Sequence, residues 1–133
     1  MPHKSSVPLF WRLKKSKYSL FGNRCVTCGS VFFPPRSFCP ECRRRGNLVE
    51  HRLAGTGEVI SYTKIHAPPV GFERLAPYVL AVIKLDEGPN ITAPVVGDTE
   101  KIKKGSRVAP VFRQQHEDGK NGLIYYTIKF SLV

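Results

Sequence analysis

The apolar positions change rhythm near residue 55. Upstream, Phe10, Leu13, Leu20 and Phe21 form a partial stripe at helical spacing, with Trp11 and Tyr18 on a neighbouring face and Lys17 interrupting it. This spacing predicts a helix over Pro8–Phe21. Large aromatics on more than one face fit a segment that docks onto a partner, although packing back on its own domain is the alternative. Downstream of Gly55 and Gly57 come five runs rich in β-branched and aromatic residues. They are Glu58–Ile65, Tyr78–Leu85, Ile91–Val96, Arg107–Arg113 and Leu123–Phe130, bounded by Gly, Pro, Asn and Asp. Five short strands, with Lys103-Lys104-Gly105 as the turn into the fourth, suit an oligonucleotide-binding (OB) type Greek-key barrel, and a generic five-strand barrel stays open. Pro94 and Pro110 lie inside two of the runs and demand edges or bulges.

The first two runs are joined by a long connection, His66 to Pro77, holding Pro68, Pro69 and Pro77 together with apolar Val70, Phe72 and Leu75. Prolines stiffen it, and its apolar residues are wasted in solvent. It reads as a binding loop, with folding onto its own barrel as the alternative.

Between the helix and the strands lie all four cysteines, as Cys25-Val26-Thr27-Cys28 and Cys39-Pro40-Glu41-Cys42, with ten residues between the pairs. Each pair can form a tight knuckle whose sulfurs face one way, and two knuckles complete a tetrahedron; Gly29 and Pro40 suit such turns. A structural zinc site is the favoured reading; iron in a rubredoxin-like setting, or disulfides and a redox pair, are the alternatives. Four protein ligands leave no open position for water or substrate, so the metal is expected to be scaffolding.

Charge sharpens the division. The chain has 133 residues and a formal charge of +11, and residues 1–52 hold eleven Lys and Arg against Glu41 and Glu50. Such a bias implies an anionic contact for the amino-terminal part, although the Arg43-Arg44-Arg45 run also offsets a four-thiolate cluster. The length allows one real core and excludes a large two-domain enzyme. Apolar runs such as Tyr78–Ile83 fall far short of the roughly 18 residues of a membrane span, and no apolar leader follows Met1, so a cytoplasmic location is expected. No residue order frames a catalytic triad: the cysteines are committed to metal and His3, His51, His66 and His116 are scattered. His66, entering the proline loop, reads as a loop anchor or channel-lining residue. Phosphate-binding glycine loops are absent too.

Several strings together resemble a known family. They are Gly22-Asn23-Arg24-Cys25, the second knuckle, Phe33-Pro34-Pro35-Arg36, Gly57-Glu58-Val59-Ile60-Ser61-Tyr62-Thr63, Pro68-Pro69-Val70-Gly71-Phe72, Pro77-Tyr78-Val79 and Leu85-Asp86-Glu87-Gly88. By them the chain resembles the DUF35 family, zinc-ribbon and OB-fold proteins associated with acyl-CoA enzymes. The resemblance implies a mainly β fold with an N-terminal helical docking segment (1–22), a rubredoxin-like zinc ribbon (23–53) and a five-stranded OB barrel (54–133).

It also implies a function. Archaeal stand-alone members look like non-catalytic bridging subunits that hold acetyl-CoA acetyltransferase (thiolase) and hydroxymethylglutaryl-CoA synthase in one hetero-oligomeric complex of the mevalonate pathway. A shared coenzyme A (CoA) site would then channel acetoacetyl-CoA. Partner or CoA-channel contacts are expected from Phe10, Trp11, Tyr18, Arg24, Arg36, His66, Pro68, Pro69 and Phe72, with Arg43 a further phosphate candidate. A different class remains as the alternative: a single-stranded nucleic-acid binder using Phe32, Tyr62, Phe112 and Tyr125. The near-balanced charge of the β half and the apolar loop count against it.

Overall fold

A computed structural model of the chain describes residues 6–133, so His3 and Lys4 lie outside the described residues. Two short helices come first, α1 (Val7–Arg12) and α2 (Lys14–Ser19). Pro8 lies in the first turn of α1, where an N–H has no helical partner to lose. The single helix expected over 8–21 is therefore divided and shorter. Leu13 closes α1 with ψ near 5°, and Leu20 leaves α2 in the left-handed region at φ 51°. Phe21 already belongs to a strand, because its pairing with Arg52 overrides the local helical spacing.

That strand, β1 (Phe21–Cys25), is the centre of a three-stranded antiparallel sheet with β2 (Val31–Phe32) on one side and β3 (Leu48–Arg52) on the other. The ribbon sheet thus takes in Phe21 and Gly22. Gly22 is required there: a Cβ would stand 2.2 Å from the Phe32 carbonyl oxygen.

The rest is a closed barrel of β4 (Gly57–Ile65), β5 (Tyr78–Leu85), β6 (Asn90–Val96), β7 (Arg107–Glu117) and β8 (Ile124–Leu132). Its order β4-β5-β6-β8-β7 is that of an OB fold. All seams are antiparallel except the short parallel one, Val95 to Phe130 and Val96 to Ser131. Alternation in β5 buries Val79, Ala81, Ile83 and Leu85, which meet Val59, Val95, Ile102, Val108 and Phe130 in the core. Pro94 lies just before the parallel seam begins, and Pro110 just after the two-residue β4–β7 seam ends. Each proline thus occupies a stretch of strand paired on one side only. Strand β7 outruns its expected end at Arg113, because a bulge between Gln114 and His116 lets the polar residues continue the ladder with β8. Among the described residues no helix is long and apolar enough to cross a membrane.

Helices, ribbon and barrel share one core. Leu20 and Leu53 both enter the barrel cluster, and the Leu53 N–H donates to the Leu20 carbonyl at 3.0 Å. Outside the core, Asp86 after β5 ties three segments. The Arg107 guanidinium donates to both of its oxygens, at 2.7 and 2.6 Å, and the Thr56 hydroxyl donates at 2.9 Å. Arg107 first, then Thr56, holds the Asp86 carboxyl down to about 2.

Two outcomes are expected. Phe130→Ala, which empties the middle of the barrel, should cost about 3–5 kcal/mol, read from the urea midpoint. Because its folded pKa is depressed, Asp86 stabilises fully above about pH 4, the unfolded carboxyl range, and loses that contribution as pH falls toward about 2. Asp86→Asn should therefore melt below the parent at pH 7, and the gap should close in paired melts near pH 2.

Candidate functional site

The ribbon brings its four cysteines together. Their sulfurs all lie within 4.8 Å of one another, and Cys28 Sγ stands 3.6 Å from Cys39 Sγ across the two knuckles. The first knuckle leaves β1 at Cys25 and turns so that the Gly29 N–H donates to the Cys25 carbonyl at 2.8 Å. The second repeats it: the Arg43 N–H donates to the Cys39 carbonyl at 2.8 Å. Gly29 and Arg43 hold equivalent places, and both have positive φ, 77° and 52°. A glycine takes that conformation freely, whereas Arg43 adopts it under steric cost, so the turn geometry is imposed by the cluster. Gly46 lies against the second knuckle, where a Cβ would come within 2.7 Å of Cys39 Cβ.

The donor set fits a divalent metal. Backbone N–H groups, that of Cys28 foremost, lower the Cys25 thiol to about 6, and Ser30 lowers Cys28. Cys42 is pushed up to about 12, chiefly by the side chain of Cys28. Four sulfurs this close cannot all ionise without a cation between them, and zinc would supply the charge that makes four thiolates compatible. Cys25 and Cys39 are buried, Cys42 is half-buried and Cys28 is exposed. All four positions of a tetrahedron would be filled by the chain, leaving the metal a structural role.

The remaining expected contacts fall into separate places. Phe10 packs on Tyr125 of β8 with ring centroids 4.6 Å apart, and Tyr18 meets Phe112 of β7 edge-on at 5.4 Å. The helical segment thus packs on its own barrel through these two rings. Trp11 does not: it is 74% exposed, with the Lys14 ammonium 5.0 Å from its ring centre. With Val7, Phe10, Tyr18, Leu123 and Ile124 it lines an open apolar groove. Leu123 and Ile124 stood in the sequence only as strand residues, and nothing local marks them as groove lining.

Arg24 is exposed on β1, and Arg36 lies over the Phe32 ring at 5.0 Å while its carbonyl accepts from Asn23 Nδ2. Arg43 is exposed beside the metal cluster. In the proline connection His66 and Pro69 are exposed, Pro68 is half-buried, and Phe72 leans on Tyr78 at 6.2 Å. A 3-10 turn, Glu73–Leu75, closes the loop, with the Glu73 carboxylate accepting the Gly71 N–H. The loop therefore folds partly onto the barrel and presents its tip, where Val70 is 91% exposed.

Cys25→Ser and Cys39→Ser should each lose the metal and unfold the ribbon while the parent binds about one zinc per chain, read by metal analysis alongside the melting curve. Full metal content with an unchanged melting temperature would remove the site.

Comparison with known proteins agrees with this geometry. Residues 15–49 match the family described as ChsH2, rubredoxin-like zinc ribbon domain, and residues 50–113 match ChsH2, C-terminal OB-fold domain. The chain is 44% identical over 121 residues to a DUF35 domain-containing scaffold protein of Methanothermobacter thermautotrophicus, covering 90% of this chain and 91% of the relative. A protein of the same description from Methanocaldococcus jannaschii is 46% identical over 121 residues, covering 90% of this chain and 86% of that one. Among solved structures, the Ltp2-ChsH2(DUF35) aldolase superposes with a TM-score of 0.69 at 29% identity, covering 99% of this chain and 98% of that one. From the ribbon, the barrel and these matches, the chain belongs to the DUF35 family.

Proposed function

We propose that this chain is a non-catalytic bridging subunit that holds a thiolase and a hydroxymethylglutaryl-CoA synthase together and helps line a CoA site shared between them. The observation that carries the reading is a closed barrel joined to a ribbon, with two exposed apolar surfaces. One is the groove at α1 with Trp11; the other is the tip of the proline loop at Pro69 and Val70. Aromatic anchors ringed by polar residues are where protein interfaces concentrate their energy. Lys14 lines the first surface and Lys17 lies over its Phe10 ring, and an acidic rim on the partner would complement them. Arg24, Arg36 and Arg43 are exposed on the ribbon and are the candidates for CoA phosphates; His66, Pro68 and Phe72 at the loop are those for its pantetheine end. The relatives' description as scaffold proteins, and the aldolase complex in which a DUF35 chain occurs, support the reading. On this reading the segments expected at 1–22, 23–53 and 54–133 act as docking segment, ribbon and barrel, with the ribbon sheet beginning at Phe21.

The assignment has a chemical rationale. Joining two acetyl-CoA into acetoacetyl-CoA with release of CoA lies on the side of cleavage, so a synthase that consumes the product at once draws the condensation forward. Nucleic-acid binding is the weaker reading. Of its four expected stacking residues, Phe32 lies under Arg36, Phe112 is stacked on Tyr126 at 5.2 Å, and Tyr125 is sandwiched between Phe10 and His116. Tyr62, on β4, is 47% exposed.

Affinity capture of this chain at native expression level in about 0.5 M salt, which suppresses counterion-driven binding, should recover a thiolase together with a hydroxymethylglutaryl-CoA synthase. Trp11→Ala, or Val70→Asp, should lower recovery of one enzyme by tenfold or more while melting stays at the parent's temperature. Capture of the chain alone at high salt, and with RNA or DNA at low salt, would replace the bridging reading.

A further inference from the structure

The parallel seam between β6 and β8 is two residue pairs long, and Pro94, immediately before it, offers no N–H. Beside this incomplete closure a cavity of about 180 Å³ opens on the barrel's outer side. The proline loop forms one wall with Phe72, Leu75 and Pro77, next to Tyr78 of β5, and Val95 and Val96 lie in the other. Lys129 of β8 also lines it. This lysine is 4% exposed, the deepest-buried charged side chain of the described residues. Their ion pairs employ Lys15, His51, Lys64, Arg74, Lys101 and Arg107 and leave Lys129 without one. Among the described residues no acid pairs with it, and the neighbouring cation is Arg113; burial first, then Arg113, pushes the Lys129 ammonium below the usual lysine range. Lys129 Nζ is not among the buried polar atoms left without a partner, so the ammonium keeps contact with solvent while its stem is buried. A desolvated lysine that lines a cavity with no acid beside it marks a candidate site for an anion.

We propose that this cavity is a binding site for a small organic monocarboxylate, whose apolar stem lies between the proline loop and β6 and whose carboxylate meets Lys129 Nζ. The volume is below the roughly 300–1,000 Å³ of sites for drug-sized ligands, so the occupant is a short acid. A carboxylate restores the missing counter-charge, and the Phe72, Leu75 and Val95 walls remove the stem from water. The site belongs to the chain by itself and does not depend on the bridging role, so it is testable without partner enzymes.

The probes are hexanoate, hexanol and inorganic phosphate, titrated into the zinc-loaded full chain and followed by amide chemical shifts. Hexanoate should saturate with shifts at Val95, Val96, Gly97 and Thr99, with hexanol and phosphate at least tenfold weaker. Lys129→Met, which keeps the stem and removes the charge, should abolish the preference for hexanoate over hexanol and melt at or above the parent's temperature. Leu75→Trp, filling the cavity from the loop with Lys129 intact, should block hexanoate. Equal binding of hexanol, equal binding of phosphate, no saturation by hexanoate, or unaltered hexanoate affinity in Lys129→Met would each overturn the proposal. So would marked destabilisation by Lys129→Met, which would give the ammonium a structural partner instead.

Discussion

Leu20 and Leu53 bracket the ribbon in sequence and join one another in space. The chain leaves the helices at Leu20, makes the entire ribbon, and returns at Leu53, whose N–H closes onto the Leu20 carbonyl. Both side chains are buried in the barrel's core cluster. The ribbon is therefore an excursion from one hydrophobic core, anchored at both feet. Gly55 makes this possible by close approach: a Cβ there would stand 2.6 Å from Leu20 Cδ1 and 2.9 Å from Pro110 Cγ. The placement of the helices follows from these feet. The helices are held along β7 and β8, so that Phe10 and Tyr18 find rings while Trp11 does not.

Beyond its feet the ribbon has little core of its own. From Phe21 to Arg52 the buried residues are Gly22, Asn23, Cys25 and Cys39. Hydrophobic burial cannot hold so small a sheet, and two-residue β2 adds few hydrogen bonds. A four-thiolate metal centre supplies what is missing, on the order of 10 kcal/mol in small zinc modules. This separates the labour within one chain. The barrel is held by burial, and the ribbon by coordination.

How much was legible follows the range of the interactions. Barrel strands are marked by β-branched runs and by the Gly and Pro that bound them, so β5 begins and ends where the pattern places it, at Tyr78 and Leu85. Cysteine spacing carried the metal cluster, because a knuckle is a local turn. The helix expected over Pro8–Phe21 overextends because Phe21 lies eight residues after Leu13, at helical spacing, while its strand partner Arg52 lies beyond any local window. Leu20's left-handed turn is equally invisible, since no glycine marks it. The groove at Trp11 needs Leu123 and Ile124 from the far end of the chain. Lys129 lies within the strand run Leu123–Phe130, and nothing local marks it as a buried residue that lines a cavity with the distant proline loop.

The burial of the four cysteines is unequal, and this gives the cluster a direction. Cys25 and Cys39 are sealed inside the ribbon, while Cys28 faces solvent with the Ser30 hydroxyl 3.3 Å from its sulfur. An oxidant or a competing metal ligand would find Cys28 the most accessible sulfur of the four. With a metal bound, Cys42 would be the next most accessible of its four ligands, and Cys25 and Cys39 would hold it from inside.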